Sequence, residues 1–211
     1  MKSSFRLLVG VCIWILSTTV LPAQEDPPRI EISNRLITAK IYLPDIENGF
    51  YRGTRFDWSG VIYSLKYNDH EFFGEWQQSD DPFLHDRITG PVEEFLSDGK
   101  GLGYDDTQPG GPFIRIGVGV CEKPDEEDYR RFHTYRIVDP GERKVRKREN
   151  WVEFYHTINP ESAGGYGYVY SKRIELLRDR PGMTITHLLD NTGEKTIRAE
   201  VYNHNFFVIE S

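Results

Sequence analysis

The last stretch of the chain places a histidine among groups that can hold a polar ring. With the period of two of a β-strand, Tyr202, His204 and Phe206 project from one face, together with Arg198 and Glu200. An imidazole exchanges protons near neutral pH, and the neighbouring rings offer flat apolar contact. We therefore predict a binding face here, with His204 as the candidate proton donor. The alternative is a histidine that is hydrogen-bonded within the sheet.

The other histidines fit structural positions better. His156 and His187 each share a strand face with aliphatic residues, which predicts hydrogen-bonded histidines of the core. His70 and His85 fall in predicted loops, and His133 falls in a predicted strand. No pair has a spacing typical of metal ligands, so neither a metal nor another cofactor is predicted.

Three arginines in irregular segments are further candidates for binding. Arg52 and Arg55 precede a strand, and Arg87 stands just before a Gly-Pro pair. A guanidinium group offers several fixed donors that match pairs of hydroxyl groups. Ordinary surface solubility explains any one of these arginines equally well.

The elements that must position these residues are strands. Alternating segments separated by turn residues are found at 30–42, 61–67, 71–76, 112–120, 151–158, 166–177, 183–190 and 195–209. Regular turn spacing and the 19 Gly and 12 Pro residues favour a large antiparallel β-sandwich of the all-β class. Residues 77–111, rich in Asp, Gly and Pro, form the main irregular region, and no long helix is predicted.

The N-terminus has the layout of a secretory signal peptide. Lys2 and Arg6 precede an apolar run over residues 7–16, which is shorter than the ~20 residues that span a bilayer. Small and polar residues lead to Ala23, the expected last residue before cleavage. We predict a signal peptide at 1–23, a linker at 24–28, a single sandwich domain at 29–211 and a secreted or periplasmic protein. An uncleaved membrane anchor is the alternative.

The net charge of the chain restricts the classes of binding partner, and its cysteine content restricts the disulfides that it can form. Without residues 1–23 the chain keeps 24 of its 26 basic residues and all 33 acidic ones, a net charge of about −9. This balance argues against nucleic acid and anionic membranes as partners and suits a neutral ligand. Cys121 is then the one remaining cysteine, so no intrachain disulfide forms. Because it ends an apolar run, we interpret it as a buried thiol.

Three segments together resemble the galactose mutarotase-like (aldose 1-epimerase) family. Residues 60–73 resemble its opening strands, and residues 101–120 resemble the segment that leads into its central strands. The most specific match is 184–207, where a strand, an Asn-Thr-Gly turn and a second strand end in Tyr-Asn-His-Asn-Phe-Phe. The resemblance implies the family's β-supersandwich, a small-molecule sugar or glycan as ligand, and His204 as the general acid on the ring oxygen of the sugar.

The implied reaction is interconversion of the α and β anomers. A base removes the C1 hydroxyl proton while an acid protonates the ring oxygen, so two groups of opposed protonation state are needed. The family's base is a glutamate well after the histidine strand, and no counterpart precedes Ser211. A histidine that the family often places before its central strands is also absent. Arg55, Arg87, Tyr104 and Tyr202 are therefore the residues expected to bind substrate.

Two other functions fit the same sandwich. One is a non-catalytic carbohydrate-binding module, and the other is the accessory sandwich of a polysaccharide-degrading enzyme. The chain ends within strand-like alternation at 203–211, which we interpret as a sandwich that is incomplete in this reading frame. An epimerase of full length would be an isomerase, whereas a binding module would hold sugar without accelerating anomer exchange.

Overall fold

The computed structural model describes residues 26–125 and 128–209, and these contain thirteen strands and one short 3-10 turn at Tyr104–Asp106. The strands are β1 (Arg29–Ser33), β2 (Thr38–Tyr42), β3 (Val61–Tyr67), β4 (His70–Glu71), β5 (Pro91–Leu96), β6 (Pro112–Arg115), β7 (Gly119–Glu122), β8 (Ile137–Asp139), β9 (Glu142–Lys147), β10 (Trp151–Ile158), β11 (Tyr168–Leu176), β12 (Met183–Asn191) and β13 (Glu200–Asn205). The predicted signal peptide lies outside the described residues.

The strands form four antiparallel sheets. Their orders are β1-β2-β3-β4, β12-β11-β10-β9, β6-β7-β8 and the pair β13-β5. The first three sheets are built from hairpins between strands that are near in sequence. The pair β13-β5 instead joins segments about a hundred residues apart, with Glu200 opposite Leu96 and Asn205 opposite Pro91. This long-range pair carries His204.

The two four-stranded sheets face each other across an aliphatic core. Side chains along β10 and β11 alternate between buried and half-buried, as expected where one face of a sheet is covered. Val152, Phe154 and Ile174 of these strands pack in one cluster with Ile41 and Ile62 of the first sheet. The all-β antiparallel class predicted from the sequence is therefore confirmed.

Two further core clusters are rich in aromatic residues. One cluster gathers Phe50, Phe56 and Trp58 against Val92 of β5, and it lies directly beneath the His204 region. A second cluster surrounds Tyr104 with Phe113, Cys121 and Tyr135. Cys121 is fully buried and burial raises the pKa of its thiol to about 12, which confirms the prediction of an inert buried thiol.

Five predicted segments differ from the structure. Residues 30–42 are not one segment but the hairpin β1–β2, and of residues 71–76 only Glu71 belongs to a strand, the short β4. Residues 112–120 are not one strand but the hairpin β6–β7, because Gly117 adopts a φ of 82° and turns the chain between them. Residues 77–111 are not irregular throughout, since they contain β5, all six residues of which are buried. Of the predicted strand at 195–209, the regular part is β13 alone.

Candidate functional site

His204 is positioned by the antiparallel ladder between β13 and β5. His204 lies opposite Val92, and Tyr202 lies opposite Glu94. Directly opposite residues in a ladder project to the same face, and so do residues two apart in one strand. The side chains of Tyr202, His204 and Glu94 therefore share one face of this two-stranded sheet.

Glu94 is a buried carboxylate surrounded by three arginines. Its side chain is 0% exposed, and it accepts hydrogen bonds from Arg131 at 2.7 and 2.8 Å and from Arg55 Nε at 3.1 Å. Arg115 Nη2 lies 3.7 Å away. Burial alone would raise the pKa of Glu94, but the hydrogen bonds from Arg131 and the charges of the three arginines outweigh it and lower the pKa. Glu94 is therefore a fixed negative charge.

His204 rests on this carboxylate with part of its ring open to solvent. Its Nε2 atom lies 3.4 Å from Glu94 Oε2, within ion-pair range but without hydrogen-bond geometry, and its side chain is 26% exposed. The ring meets Phe56 edge-on at 5.1 Å and lies nearly parallel to Phe206 at 6.2 Å. Burial, then the charge of Arg55, lowers the pKa of His204, and Glu94 only partly offsets this.

Three exposed aromatic rings lie against the neighbours of His204, and one of them, Trp76, is 5.5 Å from the Phe206 ring. Tyr202, Phe132 and Trp76 are 46, 53 and 64% exposed. The Arg131 guanidinium lies 5.2 Å from the centre of the Tyr202 ring, and the Arg55 guanidinium lies 4.7 Å from that of Phe132. Cations over aromatic faces hold both partners in place. The result is a surface that combines flat apolar faces with oriented guanidinium donors.

A second acid–imidazole contact extends this surface. Asp86 forms an ion pair with Arg55, whose other side contacts Glu94. The Nδ1 atom of His85 lies 3.1 Å from Asp86 Oδ2, and its ring is 5.1 Å from that of Phe132. Arg55 thus links the two carboxylates.

The structure brings together three of the five predicted site residues. Arg55, Tyr202 and His204 all contact the cluster around Glu94. Arg87 does not, because its guanidinium donates to Phe50 O at 3.0 Å and lies 4.5 Å from the Phe50 ring centre, in a separate cleft.

The prediction that the Tyr104 side chain binds substrate at this site does not agree with the structure. Tyr104 is 2% exposed, and its ring packs edge-on against Phe113 and Tyr129 at 5.0 Å. Tyr129 in turn contacts Arg115, which separates Tyr104 from Glu94. The ring therefore supports the site from within the core.

Of the two histidines that were predicted to lie in the core, one does and the other does not. His156 is fully buried, with Nδ1 3.0 Å from Tyr168 Oη and Nε2 3.0 Å from Pro140 O, which confirms a hydrogen-bonded core histidine. His187 is not in the core, because β12 is an edge strand and its side chain is 31% exposed. Its Nε2 atom lies 3.3 Å from Glu93 Oε1.

Glu93 and its partners form a buried polar network on the face of β5 opposite Glu94. Lys172, which is 0% exposed, is hydrogen-bonded to Glu93 and lies 4.0 Å from Asp57. Tyr170 Oη donates to Asp57 at 2.9 Å and lies 3.0 Å from His187 Nδ1. Burial raises the pKa of Asp57, whereas for Glu93 the effect of burial is outweighed by Lys172, which lowers the pKa.

Comparison with known proteins adds no assignment, because the chain matches no family model, no curated protein and no solved structure. Among residues 26–125 and 128–209, no three His, Cys, Asp or Glu side chains are grouped so that they could hold a metal ion. The same residues include no helix long and apolar enough to cross a membrane.

Proposed function

We propose that this protein binds a carbohydrate on the surface around His204 and that it is of the aldose 1-epimerase type, with His204 as the proton donor to the ring oxygen. One observation carries the proposal: a partly exposed imidazole lies against a buried, triply paired carboxylate and is bordered by exposed aromatic rings. Aromatic faces suit the apolar side of a pyranose, and guanidinium donors suit its hydroxyl groups.

Glu94 acts in this proposal by orienting His204 and not by taking a proton itself. Its lowered pKa makes it a weak base, and its side chain is closed to solvent by Arg55, Arg115 and Arg131. A buried carboxylate that fixes the position of an imidazole is a recurring arrangement in acid–base catalysis. The proton that His204 delivers then comes from the part of the imidazole ring that is open to solvent, and not from the part that lies against Glu94.

The carboxylates near Arg55 are poorly suited to act as the base of the epimerase mechanism, and this supports a second candidate function. Both described carboxylates that contact Arg55, Glu94 and Asp86, are already in ion pairs. Epimerisation needs a base opposite the acid. Non-catalytic sugar binding needs no base. Because both carboxylates are already in ion pairs, non-catalytic sugar binding is the alternative function.

The deciding experiment measures anomer exchange and sugar binding on the same preparations. Polarimetry on fresh α-glucose and α-galactose should show accelerated exchange, and His204→Ala should slow it by ~10²-fold, the size expected of a positioned acid. The variant Tyr155→Phe, which changes a half-buried residue of β10, is the matched control and should leave the rate unchanged. Sugar binding without acceleration would establish the binding module, and an unchanged rate in His204→Ala would remove His204 from the mechanism.

We also propose that the protein acts outside the cytoplasm on a neutral sugar. The signal-peptide layout of residues 1–23 and the net negative charge of the remainder support this. A single buried thiol is compatible with an oxidising compartment, because Cys121 has no partner for an intrachain disulfide once residues 1–23, which include Cys12, are removed. N-terminal sequencing of the exported protein tests the proposal, which predicts a first residue of Gln24.

A further inference from the structure

A second cleft lies on the other side of the segment that carries Asp86. Asp86 faces Arg55 in the His204 cluster, whereas the next residue, Arg87, faces a cleft of about 650 Å³. That volume is within the range of sites for small molecules. Its polar lining includes Asp26, Glu47, Asn48, Arg52, Asp80 and Arg87.

Two arginines in this cleft are held by neutral partners. Arg52 donates from Nη1 to the backbone oxygen atoms of Ile46 and Glu47, and its guanidinium lies 4.3 Å from the centre of the Phe83 ring. Arg87 is held in the same way by Phe50, through the backbone oxygen and the ring. In the described part of the chain, neither guanidinium has a carboxylate within ion-pair distance. Both cations are therefore fixed in position without a direct ion-pair partner among these residues.

Both guanidinium groups also retain unused donors. Among residues 26–125 and 128–209, the Nη2 atoms of Arg52 and Arg87 have no hydrogen-bond partner, since each arginine donates only from Nη1. The neighbouring Nε atoms are also unpaired, but they are closed to solvent. The Nη2 atoms are therefore the donors that a ligand in the cleft can reach, and an acceptor group placed there would pair with them. A carboxylate fits two such arginines, because each of its two oxygen atoms can accept a charge-assisted hydrogen bond from one guanidinium group.

The acidic residues of the cleft restrict how much negative charge the ligand can carry. Asp26, Glu47 and Asp80 line the same space and repel a ligand of high negative charge. Their oxygen atoms accept hydrogen bonds from hydroxyl groups, and Asn48 offers both a donor and an acceptor. The lining therefore matches one carboxylate together with several hydroxyl groups.

We propose that this cleft is a binding site for an acidic monosaccharide unit, such as a uronic acid, with its carboxylate on Arg52 and Arg87. The site is separate from the His204 cluster, and the proposal does not depend on epimerase activity. Arg87 is thus a ligand-binding residue, as predicted from the sequence, but for a different ligand group in a different place.

Calorimetric titration of the full chain with glucuronate and with glucose at pH 7 and low salt tests the proposal. Glucuronate should bind at least about tenfold more tightly than glucose, and Arg52→Gln or Arg87→Gln should each remove about that factor. Arg148→Gln, at an exposed position on the turn between β9 and β10, removes the same charge elsewhere and should change nothing. His204→Ala should also leave glucuronate binding intact, so this result is independent of the catalytic test.

A variant that is expected to strengthen glucuronate binding excludes misfolding as the reason for weaker binding in the arginine variants. Asp80→Asn removes a negative charge from the cleft but keeps an acceptor, so it should tighten glucuronate binding about two- to tenfold. Equal affinity for the two sugars, binding that is insensitive to both arginines, or weaker binding in Asp80→Asn would each overturn the proposal.

Discussion

At the scale of single residues, the chemistry of His204 is set by its burial and by charges from distant parts of the chain. Burial is the largest cause of its lowered pKa, the charges of Arg55 and Arg131 lower the pKa further, and Glu94 raises it. Arg131 is 34% exposed, so it is the arginine whose removal disturbs packing least. Glu94 keeps two other arginines as partners when Arg131 is changed.

Titration of His204 by NMR should therefore give a pKa below the ordinary value of 6.5, and Arg131→Gln should raise it. The sign follows from the charge, because removing a nearby cation makes the imidazolium form less unfavourable. An epimerase that needs protonated His204 would then lose activity as the pH rises through this lowered pKa, and Arg131→Gln would move that loss to higher pH. A pKa in Arg131→Gln equal to or below that of the unchanged protein would contradict the assignment, and Arg148→Gln should show no shift.

Half of this residue-level picture was accessible from the sequence. Period two along the last strand places Tyr202 and His204 on one face, as the structure has them. Glu94 and Arg131 were not predicted, because they are 110 and 73 positions from His204 and no local pattern marks their approach. The available signal was weak: two adjacent glutamates between Val92 and Phe95, in a stretch otherwise suited to a strand.

At the scale of elements, β5 is the strand on which the site depends. Its sequence, with Glu93 and Glu94 at its centre, breaks the apolar alternation by which buried strands are recognised. Its ladder partner is β13, so local turn signals do not reveal the pairing either. Strands in hairpins, such as β10 and β11, were predicted closely because their turn and their alternation are both local.

The entry into β5 should be sensitive to substitution at Gly90. Its φ is 73°, and a Cβ atom there would lie 2.2 Å from Ile62 O. Gly90→Ala should therefore lower the free energy of unfolding by ~2–4 kcal/mol, from backbone strain and from steric overlap. Urea unfolding measures this change, and the imidazole resonances of His204 should shift in the folded variant.

Gly99→Ala is the matched control for that variant. Its φ is 78°, and the added Cβ atom would meet nothing within 4 Å. The strain of the left-handed conformation alone should cost about 1 kcal/mol. Equal losses at the two positions would show that contact with Ile62 does not fix the start of β5.

At the scale of the whole molecule, the sandwich core and the aromatic clusters exclude solvent from groups that would otherwise react. Cys121 of β7 is 0% exposed between Phe113 and Tyr135, and burial raises the pKa of its thiol to about 12. A thiol reacts as its thiolate, so the folded protein should be inert to disulfide reagents at pH 8.

Labelling of Cys121 should therefore report opening of the core. Reaction should be slow in buffer, should accelerate with urea in parallel with loss of the tryptophan signal, and should be complete within seconds in unfolded protein. Rapid labelling in buffer, at a rate independent of urea, would show that β7 opens separately from the rest of the fold. Cys121→Ser should abolish labelling in protein that lacks residues 1–23.

Two successive glutamates on one buried strand also have a consequence for how the chain finds its pairing. Glu93 meets Lys172 on one side of β5, and Glu94 meets three arginines on the other. A slip of one residue against β13 would turn every side chain of β5 to the wrong side, so that Phe95 would meet the guanidinium groups and Glu94 would move away from them. Misaligned chains would then bury charge without a partner, at a cost of several kcal/mol. The cost of unpaired buried charge would therefore favour the one register of β5 against β13 that places His204 next to Glu94.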